Sequence, residues 1–133
     1  MSTVKEIMNA DEIGETMVKF ADELGKDLAG KGKQSFKELK RAQIRSIFAE
    51  ARKIESEWRK SETSAMRRLN LLKPKLAYQA KRHSEVEPLR QVLVEAIDEV
   101  GKAKSSTERE AKFQRFMDLF ESILAYHRAY GGN

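Results

Sequence analysis

At 133 residues, 35% of them charged and 40% apolar, the chain has the length of one helix-rich domain that can bury a single core but not two. The lack of cysteine excludes disulfides, Cys-ligated zinc and thiol catalysis, and the longest run free of Asp, Glu, Lys and Arg is six residues, Ser122 to His127, far short of the ~20 apolar residues a membrane span needs. The net charge is a modest +5, yet residues 35–83 hold fourteen Lys/Arg against five Asp/Glu, while 1–34 hold five against seven and 84–133 seven against nine.

In chain order, residues 1–10 carry no secretory-type apolar stretch and are expected to be disordered. Asp11 to Leu28 then reads as a helix, with Ile13, Met17, Phe20, Leu24 and Leu28 on one stripe and acids opposite. Gly30 and Gly32 end it. Gly25 to Lys31 matches most of a phosphate-binding loop. Gly32, however, stands where that loop needs Ser or Thr, and the segment closes a helix rather than opening one after a strand.

The second helix begins between Ser35 and Arg41, with a Ser35–Glu38 capping box favouring the early start. Its core face is Ile44, Ile47, Phe48, Ala51, Ile54 and Trp58. Arg41, Arg45, Arg52 and Arg59 fall within about 40° of one another beside that face. Arg41 and Arg45 repel, and Arg45 has no acid three or four residues away. Stability alone favours an acid there, which makes Arg45 a candidate ligand contact, whereas the other three arginines could equally be solvated heads on stems that cover apolar surface.

Ser61 to Ser64 lead into a third helix whose stripe is Leu69, Leu72, Leu76 and Ala80. Lys73, Lys75, Lys81 and Arg82 flank that stripe, and no acid lies between Leu69 and His83. Pro74 cannot donate to the carbonyl of Asn70, so the helix kinks or restarts there. The unbroken phase of the stripe favours a kink. The fourth helix opens at Glu87-Pro88, carries Leu89, Val92, Leu93, Ala96, Ile97 and Val100, and stops at Gly101. Thr107 with Glu110 makes a capping box for the fifth, whose core face is Phe113, Phe116, Met117, Phe120, Leu124 and His127. The reading is an all-α fold, a compact bundle of about five helices in one domain spanning 1–133.

Catalytic chemistry has little to draw on. His83 and His127 lack a Glu three residues earlier, so the Glu-x-x-His motif of helical di-iron proteins is missing, and no nucleophile, base and orienting group assemble at a usable spacing. No metal or cofactor motif is present, and an enzyme is not expected. Sorted positive charge points instead to an anionic partner.

Three pieces in this order resemble a known family: Gln43-Ile44-Arg45, then Leu71 to Arg82 (LLKPKLAYQAKR), then Phe120 to Gly132 (FESILAYHRAYGG). Together they resemble the small subunit of the type III-A (Csm) CRISPR RNA-guided effector complex, over residues 35–132. The resemblance implies a non-catalytic helical bundle, present in several copies along the effector and facing the guide and target RNA. It carries RNA contacts onto Arg45, Arg82 and Arg115, with Lys73 and Lys75 beside them, and the basic flank adds Arg41 and Arg52. Expected partners are single-stranded target RNA, the guide RNA backbone, other effector subunits and further copies of the chain, in the cytoplasm, with neither membrane nor small-molecule substrate. Lys40-Arg41-Ala42 departs from the Thr and Ser that usually cap the second helix, and Lys81 replaces a common Gly before Arg82. The rival reading is a helical adaptor whose basic face meets an acidic protein.

Overall fold

The computed structural model describes residues 2–32 and 37–132 and is helical throughout, with no strand among those residues. Six α-helices follow in order: α1 (Thr3–Asn9), α2 (Glu15–Leu28), α3 (Arg41–Trp58), α4 (Glu62–Arg82), α5 (Glu87–Gly101) and α6 (Ser106–Ala129), with a single 3₁₀ turn at Ser84–Val86.

The sixth helix is α1, in the stretch expected to be disordered. Ser2 caps it by accepting from the Lys5 N–H, and Val4, Ile7 and Met8, spaced three and four apart, are buried against the bundle. Asn9 ties it to Glu99 at 2.9 Å. Seven residues make only about two helical turns, too few for periodicity alone to reveal the helix.

Two helix starts differ from expectation. α2 opens at Glu15 rather than Asp11: Gly14 turns with φ 80°, and the Asp11 carboxylate accepts from the Thr16 and Met17 amides. Ile13 therefore precedes the helix and is 83% exposed instead of joining the stripe. At α6 the cap is Ser105, which accepts from Glu108 N–H, while Glu108 accepts from Lys104 N–H. The box thus forms two residues ahead of Thr107 and Glu110. α3 starts at Arg41, the late end of its expected range, and the Ser35 half of the alternative box lies outside the described residues.

The long helices pack through the faces the spacing indicates. Ile44, Ile47, Ala51 and Ile54 of α3, Leu69, Leu72 and Leu76 of α4, and Leu89, Leu93, Ala96, Ile97 and Val100 of α5 are all buried. α6 is the hub, adding Leu119 and Ile123 to its aromatic ladder and packing against α2, α3, α5 and α1. Trp58 stacks on Phe113 at 4.5 Å, and Phe48 meets Phe120 edge-on at 5.1 Å, so α3 and α6 run antiparallel. Each such ring pair adds about 0.5–1.5 kcal/mol beyond its buried area. α2 approaches α6 closely because Gly25 is a glycine: a Cβ there would stand 2.6 Å from Tyr126 Cβ. The residue that looked like part of a phosphate loop is a helix-crossing point.

α4 runs unbroken through Pro74 rather than restarting. Pro74 and Asn70 both face solvent, so the carbonyl deprived of its N–H partner can be hydrated.

Candidate nucleic-acid interface

α3 and α4 lie antiparallel, joined by polar ties along their length: Arg68 to Glu57 at 3.8 Å, Lys75 to Glu50 at 3.1 Å, and Gln43 to Glu85 at 3.0 Å just beyond the end of α4. The start of α3 therefore stands beside the end of α4. The end of α6 arrives at the same place. His127, fully buried, donates from Nε2 to the Leu39 carbonyl at 2.6 Å, and the Arg41 guanidinium donates to the Gly132 carbonyl at 3.1 Å. Gly132 lies against the His127 ring so closely that a Cβ would fall 2.1 Å from Cε1, so only glycine fits.

Three helix ends thus converge, and their charges agree in sign. The first turn of α3 has no acid, although its exposed N–H groups form the positive end of the helix dipole. It carries Lys40 and Arg41 instead, with Arg45 one turn further on. Lys40 offers no side-chain acceptor, so the cap is half made: Gln43 Oε1 accepts from Lys40 N–H at 2.9 Å. The last turn of α4 supplies Lys81 and Arg82, and that of α6 supplies exposed Arg128.

The nearest buried acid is already occupied. Glu85, 6% exposed, accepts from Gln43 and pairs with Lys37 at 3.6 Å. The Gln43 hydrogen bond, with its own backbone amide and Lys37 adding, holds the Glu85 carboxyl below the usual carboxylate range against the opposing effect of burial.

The seven candidate residues fall into three groups. Arg45 and Arg82 are exposed and form no ion pair among the described residues. They flank adjoining hollows that share Ala42, one lined with Lys40 and Arg41, the other with Tyr78 and Gln79. Lys73, Lys75 and Arg52 bind carboxylates: Asp98 at 2.8 Å, Glu50 at 3.1 Å, and Glu55 at 2.8 Å with Glu121 at 3.6 Å. Arg41 and Arg115 bind backbone carbonyls.

Arg115 stands apart from the others. Its guanidinium donates to the Met8 carbonyl of α1 at 2.9 Å, and α1 packs on α5, α6 and α2. Roughly 18 Å of helix rise separates it from His127 at the basic end. Packing brings Arg45 and Arg82 together but leaves Arg115 elsewhere.

Spacing missed Tyr78 as a site residue, although a signal was present. At 100° per residue it lies about 180° from the centre of the Leu69–Leu72–Leu76–Ala80 stripe, so it must face solvent. It is 63% exposed, and the Arg82 guanidinium lies over its ring at 5.7 Å. Arg128 joins the basic end only through the folding-back of α6, which left no mark in local sequence, whereas Lys40 is there as the N-cap of α3.

A family model described as Csm2 Type III-A matches residues 11–133. No curated protein and no solved structure matches the chain. The matched span takes in α2 to α6 and leaves α1 outside it.

Proposed function

Because the chain belongs to the Csm2 Type III-A family, the small subunit of type III-A CRISPR effectors, we propose that it is a non-catalytic RNA-binding subunit whose basic end grips the phosphate backbone of single-stranded target RNA and of guide RNA. One observation carries this reading: Arg45 and Arg82, two exposed arginines without acidic partners among the described residues, stand together where a helix dipole and the flanking cations add to the same positive field. Arginine presents a fork of N–H donors that suits phosphate oxygens, and contacts of this kind do not read sequence. That matches a complex in which base pairing to the guide supplies the choice of target.

The remaining candidates rank below this pair for a physical reason. Lys73, Lys75 and Arg52 would exchange carboxylates for phosphates, and Arg41 and Arg115 would exchange carbonyls, so each gains only the difference between two partners. Other effector subunits and further copies of the chain pack around the same bundle, in the cytoplasm.

The test is a salt titration of binding to single-stranded RNA. Each phosphate neutralised adds about −0.7 to the slope of log affinity against log salt. Arg45→Glu with Arg82→Glu should therefore flatten the slope by at least about 1.4 and abolish most binding. An unchanged slope, or an acidic peptide that competes as well as RNA, would favour the protein-adaptor reading.

A further inference from the structure

Building on the RNA-binding reading, we propose that the hollow between α3 and α4 is a nucleotide site, in which an unpaired base stacks on Tyr78 while Arg82 holds an adjacent phosphate. Among the Phe, Trp and Tyr side chains of the described residues, Tyr78 is the only one that is exposed rather than buried or half-buried. The Arg82 guanidinium lies over its ring at 5.7 Å, and the side chain stays 63% exposed, which leaves ring surface for a stacked base. The guanidinium itself donates to no acceptor among the described residues, so its N–H groups remain available for phosphate.

The hollow has a volume of about 400 Å³, which falls within the range of small-ligand sites. No carboxylate lines it, and it is walled by Ser46, Gln79 and His83, whose side chains make no hydrogen bond within the described protein. An apolar protein side chain would want apolar walls. A nucleotide, with a flat π-face and an anionic link on either side, matches a ring next to a free cation and polar walls. Stacking is indifferent to base identity, so the site would add grip on unpaired RNA without restricting sequence.

The experiment compares two probes with the full-length chain: a fluorescein-labelled oligouridylate, and an abasic strand of equal length and charge. Tyr78→Ala should weaken oligouridylate binding about tenfold, at the lower end of one base stack, and leave abasic binding and the salt slope unchanged. Tyr78→Phe, which keeps the ring, should bind as the unmodified chain does. Arg82→Ala should weaken both probes and flatten the slope by about 0.7. Equal loss on both probes, or no loss on either, in Tyr78→Ala overturns the base site while leaving the phosphate reading intact. If the unmodified chain binds neither probe in a salt-dependent way, the phosphate reading fails, and the base site with it.

Discussion

Replacing glycine with alanine inside a helix normally stabilises it by about 0.8–1.0 kcal/mol, because the unfolded chain loses freedom and the helix gains propensity. Gly25 should do the opposite. Its added methyl would stand 2.6 Å from Tyr126 Cβ, 2.8 Å from His127 N and 3.0 Å from Tyr126 C. Carbon atoms rest at about 3.5–4.0 Å, and none of these three atoms can rotate away, since one is a Cβ and the others are backbone. α2 and α6 must therefore part by about 1 Å along their most extensive contact. Overpacking of this kind costs about 1–3 kcal/mol, toward the upper end where backbone must move. Set against the propensity gain, Gly25→Ala should lose about 1–2 kcal/mol, a fall in Tm of about 3–5 °C for each kcal/mol in a chain of this size. Gly101 provides the control: it ends α5 with nothing within 4 Å of an added Cβ, so Gly101→Ala should gain about 0.4–1 kcal/mol. Thermal melts of the two variants beside the unmodified chain test the argument. A Gly25→Ala melt equal to or above that of Gly101→Ala would refute the claim that this residue sets the α2–α6 spacing.

Three further outcomes are expected. Ser105→Ala should destabilise by about 1 kcal/mol through loss of the α6 cap, while Thr107→Ala stays within about 0.5 kcal/mol, and urea melts showing the reverse ranking would restore the downstream capping box. Arg115→Ala should release α1, raising hydrogen exchange at its amides about tenfold for a charged bond of about 1.5 kcal/mol, with little change in the RNA salt slope, and unaltered exchange would deny the tie to Met8 any weight. Glu85 and Glu50 both have carboxyls held low, by Gln43 and by Lys75 respectively, so each contributes stability that is complete above the ordinary value of 4.5 and lost as pH falls through the lower folded value. Urea midpoints should accordingly drop as pH falls below about 4.5, and Glu85→Gln should remove part of that drop. An identical pH profile in the variant would rule out Glu85 as a contributor.

The parts of the fold legible in the sequence are those set by long-range periodicity. Leu69, Leu72 and Leu76 repeat over enough turns that their burial follows from spacing, and the same holds for the aromatic ladder of α6. Helix starts were less legible, because several Ser, Thr or Asp residues compete and tertiary contacts choose among them. Asp11 can cap at a distance only because Gly14 supplies the left-handed turn, and Ser105 wins over Thr107 because Glu108 also reaches Lys104. Gly25 does not betray its role locally, since it is required by Tyr126, about a hundred positions away, whereas Gly132 is required by the ring of His127 only five residues earlier, once the fold has buried that ring.

Charge was legible in part, and its failure is informative. Counting along the chain places the whole excess in residues 35–83, as if α3 and α4 were basic throughout. Folding edits that count. Acids from α3, α5 and α6 meet Lys75, Lys73 and Arg52, so the middle of the α3–α4 face is largely neutralised within the molecule. At the end where α3 starts and α4 stops, the editing runs the other way: Glu85 is taken up by Gln43 and Lys37, and α6 brings Arg128. Among the described residues, exposed cations without an ion pair therefore stand at the two ends of the α3–α4 pair and not along its middle: Arg45 and Arg82 at one end, where the α3 dipole and Arg128 add to them, and Arg59, Lys60 and Arg67 at the other. A polyanion lowers its energy most where cations have no better partner, so the contact should be local, centred on Arg45 and Arg82, and not a stripe along the helices.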